Sequence, residues 1–168
     1  MNSFSSKDPR SVSYSQVEMT QVVLPQFANA IGTVFGGQIM SWVDICAAVS
    51  AQRHSRTSVV TASIDSVHFM EPIKQGYVVI LKSQVNAVFR SSMEVGVVII
   101  AEAPYTGERH KAARAYCTFV ALDQEGKPVT ISPLILETED DKRRNAEAVE
   151  RRRVRLLNRK IEFGHVKK

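Results

Sequence analysis

Apolar residues recur at every second position over several stretches of the chain. Over residues 77–89, Tyr77, Val79, Leu81, Val85, Ala87 and Phe89 share one parity, while Lys82, Gln84 and Asn86 hold the other. That alternation predicts a strand with one face on a core. Residues 93–103 repeat it with Met93, Val95, Val97, Ile99 and Ala101. Residues 58–69 are rich in β-branched side chains and are closed by Pro72 and Gly76. Residues 110–122 form a last strand, closed by the turn at 123–126, and residues 14–24 form a first one, ended by Pro25. One stretch departs from the period of two. Across 36–54, Ile39, Trp42, Val43, Cys46, Ala47 and Val49 place apolar groups around most of a helix, which predicts a buried one. Residues 139–160 are dense in charge and lack Gly and Pro, which predicts an exposed helix.

The order is one strand, one apolar helix, then four strands joined by short turns. A lone apolar helix needs a surface to cover it, and an antiparallel meander curved around it supplies that surface. The expectation is an α+β fold, an antiparallel β-sheet wrapped around one central helix, with an extra C-terminal helix. The division expected along the chain is a flexible arm over 1–12, one folded domain over 13–138 and a basic helix or tail over 139–168. A chain of 168 residues, 44% hydrophobic, can bury a substantial core in a single domain.

Charge sharpens this division. Residues 1–138 carry 11 Lys and Arg against 11 Asp and Glu, so the whole excess of +5 sits in residues 139–168. No apolar run is long enough to span a bilayer, and the first 13 residues lack the apolar stretch of a secretory signal. Cys46 and Cys117 both lie in apolar segments with neither disulfide-framework nor metal spacing. The expectations are a cytoplasmic protein with two core cysteines, no metal and no nucleic-acid partner.

The candidate chemistry lies in residues 27–54. A turn-rich lead with Asn29 and Gly32 runs into Gly36-Gly37, and the helix that follows carries one isolated carboxylate, Asp44. Free N–H groups at a helix start can hold a developing negative charge. A carboxylate in apolar surroundings is costly and needs a reason. Together they suggest an oxyanion site and a general base on one element. Gly36 and Asp44 are eight residues apart, about 12 Å of helix rise. One helix cannot easily bring both to the same carbonyl, whereas an antiparallel partner helix can.

The segment from Asn29 to Asp44, followed by Val67-His-Phe-Met-Glu-Pro72 with Gly76, Arg90-Ser-Ser-Met-Glu-Val95 and Ala115-Tyr-Cys-Thr-Phe-Val-Ala-Leu-Asp123, resembles the hotdog-fold acyl-CoA thioesterases of the cytosolic acyl-CoA hydrolase type. The resemblance covers roughly residues 14–136. It implies hydrolysis of acyl-CoA to a carboxylic acid and coenzyme A. In that reading Gly36 and Gly37 polarise the thioester carbonyl, Asp44 activates water or attacks the carbonyl directly, and Asn29 positions the water or the carbonyl. It also implies a homodimer with shared sites, assembled as a trimer of dimers, and no cofactor, coenzyme A being part of substrate and product. Ile31 departs from the family pattern, where this position is often polar.

Arg90, Ser91 and Ser92 in a hairpin, with Arg109, are the candidates for contacting coenzyme A, against ordinary turn chemistry. The tail arginines Arg143, Arg144, Arg151, Arg152, Arg153 and Arg155 are either a solvated helix face or cations for the nucleotide end of coenzyme A, unless the helix only packs against the sheet or a neighbouring subunit. His54 and His68 read as structural residues. The alternative function is a non-catalytic acyl-CoA-binding regulator on the same fold, which would have no use for an isolated base. A hotdog dehydratase would need a His beside Asp44, and none is there.

Overall fold

The computed structural model describes residues 8–163. In chain order it contains β1 (Arg10–Ser11), β2 (Val17–Val22), α1 (Gly36–Ser55), β3 (Ser58–Phe69), β4 (Val78–Val88), β5 (Ser92–Glu102), β6 (Arg109–Leu122), β7 (Leu134–Ile135) and α2 (Glu139–Phe163). Five strands form one antiparallel sheet in the order β2-β4-β5-β6-β3. β4, β5 and β6 are the expected meander. β3 does not pair with β4, as four consecutive neighbours would require. α1 carries the chain from β2 at one edge to β3 at the other, where β3 pairs with β6 as an edge strand.

The sheet curls around α1. Val79, Leu81, Val85, Met93, Val95, Val97, Ile99, Cys117 and Phe119 point inward and pack with Ile39, Trp42, Val43 and Ala47 of the helix. The period-two alternation in the sequence is therefore the inner face of the sheet. α1 itself is not buried all round. It turns one stripe to the sheet and leaves Gly37, Met40, Ser41 and Ile45 exposed on the other. The reason is that a single sheet covers only one side of a helix.

Residues 10–12 of the arm expected over residues 1–12 belong to the fold. Arg10–Ser11 pairs in parallel with Leu134–Ile135, and Val12 is buried. Residues 1–7 lie outside the described residues. The C-terminal helix also differs from an exposed one. α2 lies on the outer face of the sheet, where Ala148 is fully buried and Asn145 Nδ2 donates to the Asn86 carbonyl at 2.9 Å. Asn86, on the polar side of the β4 alternation, is buried because α2 covers it. Arg151 holds Glu94 through two bonds of 3.1 and 2.7 Å and lies over the Tyr116 ring at 3.7 Å. Glu94 is fully buried.

His54, in the last turn of α1, shows burial prevailing over the helix dipole. It is fully buried and its Nε2 bonds the Ser132 carbonyl at 2.9 Å. Desolvation lowers its pKa below the usual 6.5, the Ser132 bond opposes that, and nearby Arg10 adds to the lowering. The unfolded chain therefore binds a proton below about pH 6.5 that the folded chain refuses. Stability should be fully present above pH 6.5 and fall as the pH drops from there through the folded-state value. Denaturant midpoints taken between pH 8 and 5 should fall faster for the native chain than for His54→Gln. Parallel slopes would contradict this account of His54.

Candidate active site

The start of α1 is built for exposed donors. Phe35 at the N-cap offers no side-chain bond, and the N–H groups of Gly36 and Gly37 have no acceptor among the described residues. A side chain at Gly37 would meet nothing within 4 Å, so its backbone is open to an incoming group. A Cβ at Gly36 would lie 3.4 Å from the Phe69 ring. Beside Gly36 is a cavity of about 400 Å³ with apolar walls from Val34, Ile39, Phe69, Met70 and Ile73. Asn29 belongs to this end of the molecule. Its Oδ1 accepts the N–H groups of Ile31 and Thr33 at 3.1 Å each, and its Nδ2 donates to Thr33 Oγ1 at 2.9 Å. The side chain thus shapes the loop that leads into the helix, with Gly32 at φ 75° providing the turn. Ile31 stands exposed at its tip.

Asp44 lies two turns further on and away from that end. It is half-buried rather than enclosed, because it sits beside the exposed stripe of α1. Thr61 Oγ1 on β3 donates to Asp44 Oδ1 at 2.6 Å. Thr61 is in register with Phe119, and Phe119 with Met93, so Asp44 sits at the β4–β5 hairpin end of the sheet. Phe69, beside Gly36, is in register with Ala113. Eight residues of β3 separate Thr61 from Phe69, and two turns of α1, about 12 Å of rise, separate Asp44 from Gly36. One protomer therefore holds Asn29, Gly36 and Gly37 together but keeps Asp44 apart.

The coenzyme A candidates are divided in the same way. Ser92 and Glu102 stand at opposite ends of β5, and Arg109 pairs with Glu102 in register and through a 2.5 Å ion pair. Ten residues of strand, about 33 Å, thus separate Arg109 from Ser92. Ser92 Oγ accepts a bond from Arg152 at 3.2 Å. Of the tail arginines, Arg143, Arg144, Arg151, Arg153 and Arg155 are each paired with a carboxylate, and Arg152 stacks on Phe89 at 3.9 Å.

Thr61 escaped the sequence reading. A Thr in a β-branched strand looks like ordinary strand composition, and only the packing of β3 on α1 shows that its hydroxyl meets the carboxylate. The cysteines are where the apolar context placed them. Both are buried, and burial pushes both thiols up, Cys117 to about 12 with Asp44, Asp65 and Glu94 adding to the shift. Neither is a nucleophile in waiting.

One helix in the curl of a five-stranded antiparallel sheet, with free donors at the helix start and a carboxylate on its outer side, is the hotdog architecture. The sequence model of the family described as Thioesterase superfamily matches residues 31–108. An uncharacterized acyl-CoA thioester hydrolase of Bacillus subtilis is 47% identical over 137 residues, 82% of this chain and 80% of that one. The chain spans only about a third (36%) of the length of a mammalian relative it also matches. An acyl-CoA hydrolase from Staphylococcus aureus, solved with butyryl coenzyme A, coenzyme A and coenzyme A disulfide, superimposes with a TM-score of 0.86 at 36% identity, over 95% of this chain and 99% of that one. That enzyme has also been solved with single alanine replacements of an aspartate, an asparagine and a threonine. A hexameric acyl-CoA thioesterase solved without ligand gives 0.85 at 35% identity, over 95% and 99%.

The chain belongs to the acyl-CoA thioester hydrolases of the thioesterase superfamily. It is an enzyme, a thioester hydrolase.

Proposed function

We propose that the chain hydrolyses acyl-CoA at sites shared between two protomers, each site combining Asn29, Gly36 and Gly37 of one with Asp44 of the other. The observation that carries this is the placement of the two half-sites at opposite levels of the β3 edge. A second copy of β3 added antiparallel to that edge reverses the direction. The Thr61 level of one chain then approaches the Phe69 level of the other, and each Asp44 approaches a foreign helix start. The same pairing would satisfy the open N–H and C=O row of β3. It would also cover Ile45 and Phe69, each just over half exposed at 51% and 54%.

In such a site the thioester carbonyl oxygen lies against the N–H groups of Gly36 and Gly37, and the acyl chain enters the apolar cavity beside Phe69. The Asp44 carboxylate, oriented by Thr61, takes a proton from water as its oxygen bonds to the carbonyl carbon. The tetrahedral oxyanion is stabilised by the helix-start donors, a term worth about 3–4 kcal/mol for such donors. Collapse breaks the C–S bond, and the departing thiolate recovers the proton from Asp44. The products are the carboxylic acid and coenzyme A, and the cycle needs no cofactor of its own. Aspartate, asparagine and threonine are the residue types replaced in the Staphylococcus aureus variants, and the same three types stand here at Asp44, Asn29 and Thr61.

The finer assembly we infer is a trimer of such dimers, supported by the hexameric relative. The compartment we infer is the cytoplasm, supported by the match to a cytosolic acyl coenzyme A thioester hydrolase and by two unpaired thiols. Release of free thiol from a panel of acyl-CoAs tests the activity. Thr61→Val keeps the shape of the side chain but loses the hydroxyl that aims Asp44, and it should lower kcat at least about tenfold, since small misplacements of a catalytic group cost that and more. Turnover unchanged in Thr61→Val would remove Thr61 from the site.

A further inference from the structure

We propose that α2 clasps the dimer: the last two turns of each helix extend past the β3 edge and lie on the outer face of the partner's sheet, beside the partner's α2. The inference rests on the edge-to-edge dimer proposed above and adds an element to it.

The argument begins with how α2 crosses the sheet. Asn145 bonds the backbone of Asn86 on β4. Arg151 bonds Glu94 on β5 and lies over Tyr116 on β6. Arg155 pairs with Asp65 on β3. From Asn145 to Arg155 the helix rises about 15 Å. From β4 across β5 and β6 to β3 is three strand spacings, about 14 Å. The two lengths agree, so α2 runs nearly perpendicular to the strands and reaches the edge of the sheet at Arg155. The helix continues to Phe163. Residues 156–163 add about 12 Å, enough to cover two or three strands of a sheet paired at that edge.

The overhang is apolar where a solvated helix end would be polar. Leu157 and Ile161 are 51% and 66% exposed, and Val154 and Leu156 are exposed beside them. The outer face of the sheet has a matching vacancy. Between α2 and strands β3, β5 and β6 lies a cavity of about 1310 Å³, lined on the sheet side by Ala62, Ser63, Ser66, Thr118 and Val120 and on the other by this chain's own α2 as far as Leu156, Asn158 and Arg159. A two-fold axis at the β3 edge carries the partner's overhang onto this place. Eight residues of helix, 12 Å long and about 10 Å across, fill roughly 900 Å³, the same order as the cavity.

The cavity also has polar groups that suit this occupant. Thr118 is 6% exposed, and its Oγ1 has no partner among the described residues. A buried hydroxyl without a partner is unfavourable, and an entering helix bearing Asn158 and Arg159 supplies hydrogen-bonding groups for it. Glu147 and Glu150 line the cavity as well, each already paired with an arginine of the same helix, Arg143 and Arg153.

The test uses the full chain with one added surface thiol, since Cys46 and Cys117 are buried and their thiols held neutral. Leu157→Cys and Ile161→Cys, oxidised with diamide, should give a disulfide-linked pair in at least one of the two variants, with a yield that does not fall on tenfold dilution. Arg143→Cys, on the stretch of α2 nearest β4, should give none. Absence of cross-linking in both variants, while light scattering shows the untreated protein to be dimeric or larger, overturns the clasp and leaves the shared active site standing. A monomer by light scattering overturns both. Leu157→Glu combined with Ile161→Glu should raise the dimer dissociation constant at least about tenfold, because it forces carboxylates into an apolar contact. An unchanged constant also overturns the clasp.

Discussion

Asp44→Ala should lower kcat by at least about 100-fold, the usual scale for loss of a general base, while the protein keeps its secondary structure and its oligomer. The variant removes the one carboxylate within hydrogen-bond reach of Thr61 and leaves the core untouched, because Asp44 stands on the outward side of α1. KM for acyl-CoA should change little, since the donors at Gly36 and Gly37 and the apolar cavity still bind the ground state. Asp44→Asn separates two roles. It keeps the hydrogen bond from Thr61 but cannot take the proton, so it should be nearly as slow as the alanine variant. Near-normal turnover in Asp44→Asn, with thiol release followed directly, would show that the residue only shapes the site.

The second large effect concerns stability. Arg151→Ala should cost about 3–5 kcal/mol, the range for breaking a buried ion pair by removing one partner. Glu94 is fully buried, and besides Arg151 its only hydrogen-bond partner among the described residues is the Asn86 Nδ2 at 3.2 Å. Without the guanidinium its carboxylate stays desolvated or must take up a proton. For a chain of this size each kcal/mol moves Tm by about 2–4 °C, so the melting temperature should fall by roughly 6–20 °C. Replacing both partners, Glu94→Leu with Arg151→Leu, should recover most of the loss, because two apolar side chains in a dry contact need no pairing. A loss in the double variant as large as in the single one would mean that Arg151 matters for its packing on Tyr116 rather than for its charge.

The inner face of the sheet was legible in the sequence because alternation at period two has one meaning when a helix fills the concave side. The boundaries of α1 were legible too, since Gly36-Gly37 starts it and the polar cluster after Gln52 ends it. The strand order was not. Turn lengths place β4, β5 and β6 beside one another, but nothing local tells β3 to leave β4 and join β6 at the far edge. That placement decides which edge stays open and where Asp44 lies relative to its oxyanion donors. The sequence also misjudged how much of α1 is covered. Met40 and Ile45 look like core residues in a helical projection, and they are exposed because one sheet closes only one side. The tail was misread for a related reason. Its charges suggested solvent, whereas Arg151 and Arg155 reach acids on the sheet, and the sequence does not show that Glu94 and Asp65 face outward toward them. At the candidate site the glycine pair and the carboxylate stood out by composition. Thr61 did not, because its role exists only once β3 packs on α1.

Mixing two inactive variants tests the shared site most directly. Asn29→Ala and Asp44→Ala are each placed on a different half-site, so each homodimer has every site defective. After unfolding and refolding together, or after verified subunit exchange, about half of the dimers are mixed. Each mixed dimer has one site with both residues intact and one with neither. The account therefore predicts that the mixture regains up to roughly a quarter of native thiol release, while each variant alone stays near zero. A mixture that remains inactive, with mass analysis of tagged chains showing that mixed dimers have formed, would contradict a site built from Asn29 of one protomer and Asp44 of the other.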